Sequence, residues 1–343
     1  MSLRDRFLAA YRRTGAEPPG GDPRPTHGAE MEGYFWRFTD AGSGRVVVAL
    51  CGVNQSARGP WATVAVAAHP GRFVRSAAVE GATADASTYR VHVPGVLDAD
   101  ERHVRVDMGA GAKVEATFDA DAAFRWPLRT GGGGVFSVLP YLGQYWHPHL
   151  LDGRADVTAM IAGETWTMAG ARAYAEKNWG RGFPEYWWWG QANAFDDGRD
   201  GVSVVFTGGV LDAGPLAAVV GGIVVRVGRE LVRLTPPLAR IRTEVAAGRW
   251  MMTGRGHGWT VEIDGQGEPA QAHVLPVPVP AENRNVDTDF EHLAGRLTLR
   301  VRRGTDIVYE GTSHLAGLEV GTRPGVTGPV VVHSAGLRPF RRQ

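Results

Sequence analysis

The chain has 343 residues, 43% hydrophobic and 21% charged, with 37 basic and 36 acidic side chains. That is ordinary globular usage with room for two domains, and its charge balance excludes a generally basic nucleic-acid binder. A single cysteine, Cys51, excludes an internal disulfide and a cysteine-based zinc site, and no apolar run is long enough for a membrane-spanning helix. The first residues lack the apolar stretch of a secretory signal, so a cytoplasmic location is expected.

Residues 3–13 read as a short helix, with Leu3, Phe7, Leu8 and Tyr11 on one face and Arg4, Arg6, Arg12 and Arg13 elsewhere. Such a helix either docks on the protein body or rests as a basic amphipathic foot on a membrane surface. Peripheral membrane contact is therefore one expectation. Residues 14–27 carry Pro18, Pro19, Gly20, Gly21, Pro23 and Pro25 and read as a linker.

From Glu30 onward the pattern is β. Short apolar or alternating runs recur at 45–50, 61–67, 88–93, 103–106, 113–118, 202–206, 259–263, 295–301 and 306–309, with Gly, Asp and Pro between them. Leu216–Val227 is ambiguous, but its Val and Gly content favours a buried strand. Gly131 to Gly134 lack a following Gly-Lys-Ser/Thr, so they form no phosphate-binding loop; a flexible loop beside a pocket entrance is expected.

The chain also resembles itself. Glu32-Gly-Tyr-Phe-Trp leads into a Val-rich strand, and Glu185-Tyr-Trp-Trp-Trp does the same 153 residues later. That distance suits one barrel, so two tandem antiparallel β-barrels are expected. The expected division is a helix and linker at 1–27, a first barrel at 28–175 and a second at 176–343.

Aromatic residues crowd one stretch: six of the eleven tryptophans fall between residues 141 and 189. Tyr145, Trp146, Tyr174 and Trp179 are among them. Strand alternation puts Trp187, Trp189, Gln191 and Asn193 on one face, and Gly190, Ala192 and Ala194 on the other. The first face is either a core surface with two satisfied amides or the wall of an elongated apolar ligand cavity. Only Lys113 and Lys177 are lysines, in a chain that otherwise writes its cations as 35 arginines.

The segment Tyr174-Ala-Glu-Lys-Asn-Trp-Gly-Arg-Gly-Phe-Pro-Glu-Tyr-Trp-Trp-Trp-Gly-Gln-Ala-Asn-Ala-Phe195 resembles the signature of tocopherol cyclases, roughly Y-x-E-K-D-W-G-x-x-F-P-x-x-W-x-W-x-Q-x-N-x-F. Glu32-Gly-Tyr-Phe-Trp-Arg-Phe, residues 150–163 and Leu318-Glu-Val-Gly agree with further family segments in order. Asn178 stands where that signature has Asp, and a His-rich family segment is reduced to Pro25-Thr-His27-Gly. The resemblance implies a lipocalin-like double barrel, related to those of carotenoid hydratases and some Diels–Alderases. It implies a cofactor-independent cyclase acting on a hydrophobic prenylated phenol, quinol or polyene. A pericyclase or isoprenoid hydratase, and a non-catalytic isoprenoid carrier, are the alternatives. The Arg-, Ala- and Gly-rich composition reads as bacterial, which suggests secondary metabolism.

Cyclisation of this kind needs a general acid for a C=C bond, aromatic faces for the cation and a base for the phenol. Glu176 is the first candidate acid, sharing a strand face with Tyr174 and Asn178. Lys177, on the opposite face with Trp179, holds a carboxylate ionised, orients the quinol oxygens or acts as a strut. His147 and His149, spaced as H-x-H, form a second group with Asp152, open to metal, acid–base or structural readings. Glu32, Tyr34, Trp36 and Asp40 lie on the repeat-equivalent strand and are expected to face the same lumen. Glu319 belongs to the C-terminal family motif.

Overall fold

The structure, a computed structural model, describes residues 2–119, 124–125, 131–213, 216–326 and 332–334. Its described residues are mostly antiparallel strand, with one α-helix at Leu3–Arg12. Local sequence explains the strand types. Arg90–Val93, His103–Asp107 and Ala112–Phe118 alternate between buried and exposed positions, as strands with one wet face do. Arg45–Asn54 and Trp61–His69 are Val- and Ala-rich and buried on both faces. Leu216–Val227 is indeed a strand.

The chain divides into two compact units, Met1–Gly182 with Leu275–Asp287, and Phe183–Val274 with Thr288–Gln343. Residues 176–180, given to the second domain on sequence, complete the uninterrupted strand Glu164–Gly180 of the first unit, hydrogen-bonded to Met31–Asp40 and Gln144–Ile161. Leu275–Asp287 returns to the first unit. There Trp61 Nε1 donates to the Pro280 carbonyl at 3.0 Å, and Thr63 Oγ1 donates to Asn285 Oδ1 at 2.6 Å.

Both sheets follow one plan and curl into half-barrels. In the first, Phe73–Glu80, Trp61–His69, Arg45–Asn54 and Met31–Asp40 lie side by side; Glu164–Gly180, Gln144–Ile161 and Ala112–Phe118 come next. In the second, Glu230–Leu234, Leu216–Val227, Val202–Ala213 and Tyr186–Ala192 lie side by side; Asp306–Thr322, Arg284–Arg303 and Trp259–Gln266 follow. Met31–Asp40 and Tyr186–Ala192, the strands of the internal repeat, thus hold equivalent places.

Their register differs from the repeat read on sequence. Tyr34, Trp36 and Phe38 point into the first unit's core, and Trp188 and Ala192 into the second's. An offset of 153 residues would superpose Tyr34 on Trp187, which faces away from its core. A one-residue slip exchanges the two faces of a strand, so the true offset must be even. At 154 residues Phe35 falls on Trp189, and their ladder partners, Glu176 and Glu319, then hold equivalent places although 143 residues separate them. The neighbouring strands then bulge at matching places, between Pro148 and Leu150 and between His292 and Gly295.

The helix Leu3–Arg12 starts at a Ser2 capping box with Asp5 and buries none of its residues. Residues 14–27 are more than a linker, since Gly15, Ala16, Glu17 and His27 are buried within the first unit.

Candidate functional site

Three clusters gather the candidate side chains. The first lies inside the first unit, where Lys177 and Glu32 end the core-facing rows of their strands. Lys177 Nζ is fully buried and lies 2.6 Å from Glu32 Oε2, 2.7 Å from the Pro25 carbonyl and 3.2 Å from His27 Nδ1. The three ammonium protons therefore have three acceptors. Burial draws Lys177 below its usual range, and the Glu32 charge opposes that shift. Glu32 Oε1 accepts the Thr26 hydroxyl and the backbone N–H groups of His27 and Gly28 at 2.8 and 2.7 Å, which ties the Pro-rich segment down.

Burial and the Lys177 charge hold the His27 imidazole neutral, so with Nδ1 accepting, Nε2–H donates to Glu17 at 2.9 Å. Glu17 also receives Arg12 Nε at 2.8 Å, yet burial outweighs that cation and pushes its carboxyl up to about 7. A carboxyl raised from 4.5 in the unfolded chain contributes stability that is complete below pH 4.5 and is lost as pH rises through 7. Wild type should therefore lose stability relative to Glu17→Gln between pH 4.5 and 8, measured by urea denaturation.

The first unit's aromatics are consumed by packing. Trp179 stacks between His27 at 4.3 Å and Tyr145 at 5.7 Å, and its Nε1 donates to the Gly15 carbonyl at 2.7 Å. Tyr34 and Trp36 fill the core, where the cavity beside Trp36, Tyr89 and His149 measures about 30 Å³. That holds a water molecule, not an isoprenoid. Tyr34 and Trp36 thus face a packed interior in place of the expected lumen, and Tyr145 and Trp179 pack with Ala16 and Ala29 of the Pro-rich segment. The His147/His149/Asp152 group also separates. Asp152 accepts from Arg172 Nη1 at 3.0 and 3.1 Å, and burial lowers His147 to about 3, a neutral imidazole. The two histidine rings lie 6.3 Å apart, and among the described residues no three His, Cys, Asp or Glu side chains converge as metal ligands. Asp40 caps its own hairpin turn through the Gly42 N–H at 3.0 Å.

The second cluster lies on the opposite face of the same sheet. Glu176 Oε2 accepts Trp146 Nε1 at 2.7 Å and the Tyr174 hydroxyl, and Phe35 meets Tyr174 edge-on at 6.4 Å. Alternation separates Glu176 from Lys177, as the strand period requires. Asn178 sits on this face over Gly33, with its Oδ1 buried and without a hydrogen bond. The Gly131 to Gly134 loop packs here rather than swinging free: a Cβ at Gly132 would lie 2.5 Å from the Trp146 ring.

The third cluster belongs to the second unit, again on the face away from its core. Trp187, Trp189, Gln191 and Asn193 are all buried there. The indoles of Trp187 and Trp189 cover Gly321 and Gly317, where a Cβ would stand only 2.0 and 2.8 Å from the rings. Trp187 Nε1 donates to Glu319 Oε1, as Trp146 donates to Glu176 at the equivalent place in the first unit. Glu319 pairs across the ladder with Glu291, and Asp289 lies two residues along the same strand face. Two buried carboxyl groups, Asp289 and Glu291, and the half-buried Glu319 thus share one patch. Burial and the charges of Glu319 and Glu291 push Asp289 far above the ordinary carboxyl range. Asp289 and Glu291 escaped the sequence reading. Their signal was there: Asp287, Asp289 and Glu291 alternate along one strand, acidic at every second residue.

A family model described as tocopherol cyclase-like matches residues 107–322. The chain belongs to the tocopherol cyclase-like family. It is 27% identical over 207 residues to the probable chloroplastic tocopherol cyclase of Oryza sativa subsp. japonica, and 26% identical over 205 residues to the chloroplastic tocopherol cyclase of Zea mays. Each match covers 57% of this chain but 43% of the relative, so the chain matches less than half of these proteins' length. Two crystal structures share the fold. Kievitone hydratase from Nectria haematococca aligns with TM-score 0.51 and 13% identity over 88% of this chain and 91% of that one. CghA aligns with TM-score 0.57 and 12% identity over 86% and 89%. The segment from Tyr174 to Phe195 supplies one member of each Glu–indole pair: Glu176 in the first unit and Trp187 in the second. No helix among the described residues is long and apolar enough to cross a membrane.

Proposed function

We propose that the protein is a cofactor-independent cyclase that closes a ring on a prenylated phenol or quinol, or on a polyene, by protonating a C=C bond. One observation carries this reading: the buried Asp289 and Glu291 and the half-buried Glu319 share a sheet face with the indoles of Trp187 and Trp189. Burial and the two neighbouring acids raise Asp289 well above the ordinary carboxyl range, which favours its protonated form. A carboxylic acid kept neutral at ordinary pH is the proton donor that a weakly basic alkene requires.

Proton transfer from the cluster to the alkene leaves a tertiary cation and a carboxylate. An indole face stabilises such a cation by about 0.5–2 kcal/mol when well placed. The phenol oxygen then forms the C–O bond, and its proton returns to the carboxylate. Protons balance, and no redox partner is consumed. Gln191 and Asn193 offer hydrogen bonds to the quinol oxygens on the same face. Glu176 is better arranged as an acceptor, since two donors already point at its Oε2.

The test is incubation with a prenylated hydroquinone in D₂O. Cyclisation places one non-exchangeable deuterium on carbon. Incorporation of deuterium together with a solvent oxygen would assign a hydratase. A ring formed with neither would assign a pericyclase, and recovery of unchanged substrate from this and a polyene would assign a carrier.

A further inference from the structure

Nine large apolar side chains are exposed among the described residues, and five of them are Leu3, Phe7, Val135, Leu139 and Tyr141. These five come from two segments that lie against each other. The Tyr11 hydroxyl donates to the Val138 carbonyl, the Tyr141 N–H donates to the Thr14 carbonyl at 3.2 Å, and the Tyr145 hydroxyl lies 2.6 Å from the Leu139 carbonyl and 3.3 Å from that of Thr14. The helix is held at its C-terminal end, where Tyr11 and Arg12 find partners. Its first turns stand off the body, leaving Leu3 86% and Phe7 67% exposed.

The charges around this patch are mainly basic. Arg4, Arg6 and Arg13 are exposed and have no ion pair among the described residues, unlike Arg12, which is spent on Glu17. Arg181 adds a fourth cation, its Nη2 lying 3.5 Å from the Tyr141 carbonyl. The one acid on the helix, Asp5, is engaged with Ser2.

We propose that this patch docks the protein on an anionic lipid bilayer surface. An apolar strip with Phe and Tyr at its margins, rimmed by unpaired arginines, matches the interface between headgroups and acyl chains. The rim attracts anionic headgroups, and Leu3 and Phe7 enter the boundary below them. The charge complementarity selects a lipid surface over a second copy of the chain, because a copy would bring the same arginines together. The inference is independent of the cyclase reading, and its test does not use turnover.

The experiment is flotation of the full chain with vesicles of phosphatidylcholine, with and without phosphatidylserine. The protein should float with the phosphatidylserine vesicles and be released as salt rises. Arg4→Gln and Arg6→Gln should each weaken partitioning about fivefold, the equivalent of roughly 1 kcal/mol per cation near an anionic surface. Phe7→Ser should abolish flotation while leaving the melting temperature unchanged, since the ring is exposed. Equal flotation with both vesicle types, or flotation unaffected by the three variants, would overturn the proposal. Concentration-dependent dimerisation lost in Phe7→Ser, without flotation, would also overturn it and assign the patch to a second copy.

Discussion

Asp289→Asn is expected to cut turnover by about 10²–10⁴-fold while the substrate still binds, because a positioned general acid contributes that much. Asn keeps the size and hydrogen-bonding reach of the side chain but carries no transferable proton. The effect should appear in kcat, with substrate affinity measured separately by quenching of tryptophan fluorescence. Glu176→Gln is the control that locates the acid. If Glu176→Gln stops turnover and Asp289→Asn does not, the proton comes from the first unit, and the assignment to the carboxyl cluster fails.

The pH profile gives a second readout of the same cluster. Burial and the charges of Glu319 and Glu291 raise Asp289 well above the ordinary carboxyl range. Turnover should fall as pH rises through its raised pKa. Glu291→Gln removes one repelling charge, so Asp289 ionises more easily and the fall moves to lower pH. A purely structural role for Glu291 would change the amplitude of the profile and leave its midpoint in place.

The all-β architecture could be read from alternation and turn residues, because those patterns are local. The opposition of Glu176 to Lys177 was equally legible, since a strand has period two. Tyr34 and Trp36 show where such reading stops. They look like Trp187 and Trp189 in the repeat, yet face a core, because a one-residue slip in aligning two aromatic clusters exchanges the faces. Trp179 and Tyr145 show a second limit. Nothing local says that residues 14–29 fold back and cover them. The carboxyl cluster shows a third, since Asp289, Glu291 and Glu319 come from two strands whose pairing only the ladder establishes. Glu319 was visible through its motif; its partners were not.

Lys177→Met is expected to cost about 3–5 kcal/mol of stability, the usual loss when one member of a buried ion pair is removed. The variant leaves Glu32 buried opposite an apolar side chain, and the Pro25 carbonyl and His27 Nδ1 lose their donor. The geometry also explains why a chain of 35 arginines keeps a lysine here. Three acceptors surround one small ammonium within 3.2 Å, and a planar guanidinium fits neither the space nor the directions. Lys177→Arg should therefore destabilise as well. Urea denaturation of Lys177→Met, Glu32→Gln and the double variant separates the terms. The double variant should recover part of the loss, because a neutral amide replaces the stranded carboxylate. If the two single losses simply add, the pair is not coupled and Lys177 serves only to fill space.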